Sequence, residues 1–242
     1  MGNFSIRTEN LKKNFGAVKA LNGVSFDFSA GLLHGLIGSN GAGKTTTMRL
    51  LAGLLKPSSG RISYYSEGQP AALSELRPSL AYMPQQASLY PDLSIDEHLE
   101  FFRELYRLEP EVYARRSTRL LNITRLDKFR GRRAGQLSGG MYKKLGLMCS
   151  LLQSPSVLLL DEPTNGVDPI SRREFWEMLY DLAAEKILIV VSTAYMDEAE
   201  RCSRVHLLDS GHLLASGEPR AVLKEAGASG FEELFVRQGA QK

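Results

Sequence analysis

Gly38-Ser39-Asn40-Gly41-Ala42-Gly43-Lys44-Thr45 is the stretch that decides the fold. It fits the pattern G-x-x-x-x-G-K-[ST], whose residue types answer a chemical need. Glycines turn successive backbone N–H groups toward phosphate oxygens through conformations that a Cβ obstructs. A helix placed directly after them points its positive end at the same anion. Lys44 is then set to reach β- and γ-phosphates, the Thr45 hydroxyl to ligate Mg²⁺, and Thr46 to add a further phosphate hydrogen bond. The flanks agree with this reading. Residues 32–37 form a short apolar run of strand type, and 44–55 read as a helix stopped by Lys56-Pro57-Ser58-Ser59-Gly60.

Moving outward, the alternation continues. Residues 4–11, 24–28, 61–65 and 80–83 read as strands, 170–184 as a helix and 187–191 as a buried strand. Residues 205–215 read as a hairpin around Ser210-Gly211, followed by short helices. Between about 86 and 150 the period becomes helical, opening on a capping box of Ser94 and Glu97. Strands alternating with helices predict an α/β core with a parallel sheet, interrupted by an all-helical lobe.

Val157-Leu158-Leu159-Leu160-Asp161-Glu162 carries the second chemical element. A buried strand delivers two carboxylates at its C-terminal end, where open α/β sheets place ligands. Asp161 suits Mg²⁺ and Glu162 suits a general base that activates water. A strand that merely reaches solvent can also end in Asp-Glu; the glycine loop upstream is what favours the chemical reading.

Bulk properties exclude several classes. The chain has 242 residues, 43% hydrophobic and 24% charged, with a net charge of +3. That surplus is too small to argue for nucleic acid as a partner. The first seven residues lack the apolar run of a signal peptide. The longest uncharged stretch, 145–160, is shorter than the ~18–20 apolar residues of a bilayer span. Cys149 and Cys202 read as free thiols of a reducing compartment. His34, His98, His206 and His212 show no metal-ligand spacing, so no metal held by protein side chains alone is expected. Arg125, Lys128, Arg130, Arg132 and Arg133 read as a solvated basic face, with anionic lipid as the alternative.

Three further stretches complete a pattern: Ala81-Tyr82-Met83-Pro84-Gln85, Leu137-Ser138-Gly139-Gly140-Met141, and Asn165-Gly166-Val167-Asp168-Pro169. Paired glycines at a helix start, as at Gly139 and Gly140, can make a second anion cradle, or simply a helix capped by Ser138. With all elements in this order, the chain resembles an ABC transporter nucleotide-binding domain over nearly its whole length. Tyr82-Met83-Pro84-Gln85, Leu137 to Met141, and Met196-Asp197-Glu198-Ala199-Glu200 make it most similar to the drug-efflux branch of ABC-2 type exporters.

The resemblance implies one domain over 1–242 built on a P-loop NTPase core (1–85 and 151–242). It also implies an N-terminal antiparallel β subdomain and an inserted helical lobe at about 86–150. ATP and Mg²⁺ would be its ligands. Phe15 would stack on adenine, and Gln85 would contact Mg²⁺ or the attacking water. Ser138, Gly139 and Gly140 would close over a nucleotide held by a second ATP-binding subunit, with Asp168 at that interface. Asp168 also reads as an N-cap before Pro169. An integral membrane subunit would dock on the lobe around residues 85–102, placing the protein on the cytoplasmic face of the plasma membrane.

One departure stands out. The family places a histidine after the 187–191 strand, where this chain has Ala194. A methyl group cannot replace a hydrogen-bond donor. Two hypotheses follow: slower hydrolysis carried by Glu162 with help from Ser192 or Thr193, or a degenerate site serving a competent partner. Met141 also replaces the commoner glutamine, at a more tolerant position. Two other function classes remain open at this stage: a soluble ABC-type ATPase acting on ribosomes or DNA, and a non-catalytic ATP-binding regulator. Proteins of the former kind usually carry two such domains or a coiled-coil insert.

Overall fold

The computed structural model describes residues 3–86 and 89–239. Its centre is a six-stranded sheet of β3 (Leu33–Gly38), β6 (Leu80–Met83), β7 (Val157–Asp161), β8 (Leu188–Thr193), β9 (Arg204–Asp209) and β10 (His212–Gly217). The spatial order is β10-β9-β3-β8-β7-β6, parallel except for β10. A second, antiparallel sheet has the order β2-β1-β4-β5, from β1 (Phe4–Phe15), β2 (Val18–Ser29), β4 (Ser59–Ser66) and β5 (Gln69–Ala71). The helices are α1 (Lys44–Leu51), α2 (Leu73–Leu76), α3 (Ile95–Leu105), α4 (Pro110–Thr124), α5 (Gly139–Leu151), α6 (Pro169–Ala184), α7 (Pro219–Ala226) and α8 (Phe231–Gly239).

β7 and β8 are buried from end to end, which is why they read as unbroken apolar runs. Their side chains alternate between two cores. Leu158, Leu160, Ile189 and Val191 pack with Phe175 and Trp176 of α6 and with α5. Val157, Leu159, Leu188 and Val190 pack with Met48 and Leu51 of α1 and with Phe26 and Phe28 of the antiparallel sheet. Ile95, Leu99, Leu120 and Leu121 of the helical lobe join the first of these cores. The capping box at the start of α3 forms as expected, with Ser94 and Glu97 exchanging hydrogen bonds of 2.7 and 3.2 Å.

Two elements differ in length from their sequence reading. α1 ends at Leu51 rather than near 55 because Gly53 takes a left-handed φ of 68°. Leu54 N–H then bonds back to the Arg49 carbonyl at 2.8 Å, closing the helix before the proline cluster. β1 and β2 run longer than 4–11 and 24–28, pairing out to Phe15 and Val18. The hairpin tip projects beyond the core, so apolar alternation stops where burial stops while the backbone ladder continues.

Between the two sheets lie His34 of β3 and His206 of β9, stacked with ring centroids 5.7 Å apart. His34 Nδ1 and His206 Nε2 are 3.4 Å apart, and Ser29 and Ser216 close the ends of the chain. Burial pulls His34 down to about 4; the Ser29 main chain and Asp27 oppose this, and Arg204 adds to it. Burial pulls His206 down to about 3, helped by His34 and Arg204. Both folded values lie below the unfolded value of 6.5, so the unfolded chain binds more protons in acid. Stability is therefore complete above pH 6.5 and falls as the pH drops toward 4 and then 3. Both imidazoles together give a slope of at most about 2.7 kcal/mol per pH unit. Urea unfolding at stepped pH should show this decline, and His206→Gln should make it markedly shallower.

Candidate functional site

The loop between β3 and α1 arches over a cleft of about 520 Å³. Gly41 and Gly43 hold φ of 82° and 106°, values that L side chains rarely adopt. A Cβ at Gly43 would also meet the Ala20 carbonyl at 2.7 Å. Backbone turned this way, at the N-terminus of α1, concentrates partial positive charge on the cleft. Asn40, Thr45 and Thr46 line it; Ala42 is instead buried against the antiparallel sheet.

Lys44 lies on the cleft floor and is almost wholly buried. Its ammonium donates to the Gly38 carbonyl at 2.8 Å and the Ser39 carbonyl at 3.0 Å, and pairs with Glu162 Oε1 at 3.1 Å. Those contacts occupy all three of its donors, so an incoming phosphate must take one over. Glu162 itself sits at φ 47°, a left-handed conformation costly for a residue with a Cβ. Its N–H is fixed by the Ser192 carbonyl at 3.1 Å and hydroxyl at 2.9 Å. Its Oε2 accepts from Gln85 Nε2 at 2.7 Å and Asn165 Nδ2 at 3.2 Å.

Asp161 is fully buried at the end of β7. Oδ1 accepts from Ser192 Oγ at 2.6 Å and Thr45 Oγ1 at 3.2 Å; Oδ2 accepts from Tyr82 OH at 3.3 Å. Burial, then the neighbouring Asp161 charge, raises the Tyr82 phenol.

The sequence-predicted residues thus divide. Gly38, Ser39, Asn40, Gly41, Gly43, Lys44, Thr45, Thr46, Gln85, Asp161 and Glu162 gather at one cleft. Phe15 is half exposed at the hairpin tip beneath the Lys13 ammonium; its strand partner Val18 lines the cleft. Ser138 caps α5, accepting from Met141 N–H at 3.3 Å, and does not line the cleft. Gly139 and Gly140 face the start of α6 and the loop before it: a Cβ on Gly140 would meet Ser171 at 2.5 Å. Asp168 caps α6, accepting from Ile170 and Ser171 N–H at 3.1 and 3.0 Å; its bonds with Ser171 hold its carboxyl below the usual range.

Sequence reasoning gave no role to Tyr82, Asn165 or Lys143, although the first two lie inside quoted motifs. It offered Ser192 and Thr193 as substitutes for the missing histidine. The structure corrects this. Ser192 is fully buried with its hydroxyl donating to Asp161, and Thr193 is buried with Oγ1 accepting from Tyr195 N–H at 3.0 Å; neither residue lines the cleft.

A glycine loop opening a helix, a buried lysine and a strand-end pair of carboxylates define a P-loop nucleoside-triphosphate fold. The family model described as "ABC transporter" matches residues 21–165. The Escherichia coli (strain K12) protein named "Probable multidrug ABC transporter ATP-binding protein YbhF" is 47% identical over 88% of this chain, which spans 37% of that protein's length. A "Nod factor export ATP-binding protein I" of Burkholderia lata is 38% identical over 93% of this chain and 75% of its own. Among solved structures, an ATP-binding subunit of an ABC transporter superposes with a TM-score of 0.82 at 31% identity, covering 96% of this chain and 98% of that one. The chain belongs to the ABC transporter family, as an ATP-binding domain.

Proposed function

We propose that the chain binds ATP with Mg²⁺ at the cleft and hydrolyses it to drive an export-type membrane transporter. The observation that carries this is the convergence of Lys44, Thr45, Asp161 and Glu162 beneath the glycine loop. Lys44 and the loop amides bind the phosphates, and Phe15 stacks on the base beside Val18. Thr45 and Asp161, with Gln85 beside them, hold Mg²⁺. The residues fit the ion: a hydroxyl and a carboxylate oxygen are hard ligands of the kind Mg²⁺ takes, and they stand side by side. Thr45 Oγ1 and Asp161 Oδ1 are 3.2 Å apart. These residues would hold the ion together with the phosphates and water, as Mg²⁺ is commonly bound by one or two protein oxygens plus substrate phosphates. When bound, the ion neutralises charge on the phosphates. Glu162 accepts the proton of the attacking water, and Gln85 and Asn165 orient its carboxylate.

Ser138, Gly139 and Gly140 do not line this cleft, which supports their use on the nucleotide of a second subunit, with Asp168 at the same interface. The two subunits then close around ATP and part after hydrolysis, moving the attached membrane domains. Among the described residues no helix is long and apolar enough to cross a membrane. Tyr90, Phe101 and Leu105 form an exposed apolar patch on the helical lobe, where a membrane subunit on the cytoplasmic face would dock. Ala87 and Ser88, within the proposed docking stretch 85–102, lie outside the described residues. The relatives named for multidrug and Nod factor export favour export as the direction.

Ala194 favours a second reading, in which this site binds ATP but leaves hydrolysis to a partner. Lys44→Ala tests the shared core of both: MgATP should bind at least about tenfold more weakly in equilibrium titration. Unchanged affinity would sink the proposal.

A further inference from the structure

α5 opens at Ser138 and, one turn on, carries two adjacent lysines that diverge. Lys144 pairs with Glu174 of α6 at 2.6 Å, an ordinary ion pair between packed helices. Lys143 does something else. Its ammonium donates to the main-chain carbonyl of Gln85 at 2.6 Å and lies 3.5 Å from that of Glu162. Gln85 Nε2 in turn donates to Glu162 Oε2 at 2.7 Å. Three elements thus meet in a closed triangle: α5, the loop leaving β6 and the loop leaving β7.

Those two loops leave adjacent strands, where Met83 and Leu160 are in register. Strand pairing fixes their bases and nothing in that pairing fixes their tips. A cation between the two carbonyls sets the spacing of the tips, and with it the direction from which the Gln85 amide reaches Glu162. A half-buried ammonium whose hydrogen-bond acceptors among the described residues are main-chain carbonyls forfeits much of its hydration, which a surface-stabilising lysine would keep.

We propose that Lys143 is the positioning residue that holds the Gln85–Glu162 pair and ties it to the helix opening at Ser138. Contact of a second subunit with Ser138, Gly139 and Gly140 then bears on the same helix that sets this chain's own Glu162. The inference rests on the proposed roles of Gln85 and Glu162, and its test separates the two.

Lys143→Met keeps length and removes the charge; Lys143→Arg keeps the charge. In steady-state hydrolysis Lys143→Met should lower kcat about tenfold or more, with ATP Kd within about twofold and thermal midpoint unchanged, and Lys143→Arg should recover most of the loss. A kcat within about twofold of the unaltered chain overturns the proposal, as does an equal fall in affinity. Failure of the unaltered chain to bind ATP counts against the proposed function instead. Amide exchange without nucleotide decides the positioning role independently of turnover. Protection at residues 85–86, 162 and 164–166 should fall at least about tenfold in Lys143→Met, and unchanged protection overturns the inference.

Discussion

Glu162→Gln is expected to lower ATP turnover by about three orders of magnitude while leaving ATP bound. The glutamine keeps the shape of the side chain and can still receive the Gln85 and Asn165 amide hydrogens that now reach Oε2. It cannot take a proton from water. It also loses the charge that holds Lys44 at 3.1 Å, so the lysine passes more easily to phosphate. Affinity for MgATP should therefore be equal or higher, and an ATP-loaded pair of subunits should persist in size-exclusion chromatography. Retention of more than about a tenth of kcat would remove Glu162 from the role of base.

Ala194→His is expected to act in the opposite direction, raising turnover by up to about a hundredfold if the present site is attenuated. Ala194 directly follows β8, is only half-buried, and precedes Tyr195, whose N–H is tied to Thr193. The backbone is thus already fixed, and what the position lacks is a donor. Ser192 cannot supply it, because its hydroxyl donates to Asp161, and Thr193 is buried and does not line the cleft. Single-turnover and steady-state rates of both proteins decide the matter. A large gain identifies a site weakened by one missing group. Brisk turnover by the unaltered chain, with no gain on substitution, rules out degeneracy.

The phosphate end of the site was legible in the sequence because backbone conformation dictates its residues. Gly41 and Gly43 occupy angles that announce themselves as glycine, and β7 announces its burial by having no polar residue before Asp161. The end of α1 is hard to place from sequence because Gly53 is an inconspicuous stop beside the louder proline cluster. The hairpin extends past its apolar alternation because its tip is exposed, and exposed strands lose the pattern that betrays them. Ser192, Asn165 and Lys143 were opaque for another reason. Ser192 depends on β7 lying beside β8, Lys143 on β6 lying beside β7, and Asn165 on how the loop after Glu162 turns back on itself, all tertiary facts. The partition of Ser138, Gly139 and Gly140 away from the cleft likewise came from the resemblance, and no local pattern encodes it.

The 2.5 Å approach that a methyl on Gly140 would make to Ser171 affects how substitutions there are interpreted. A bulkier residue pushes α5 off α6 inside a single chain, before any second subunit arrives. Loss of activity after such a change is ambiguous between failed nucleotide contact and a dislodged helix. Pairing Gly140→Ala with Ser171→Gly, which vacates the obstructing atoms, separates the two causes.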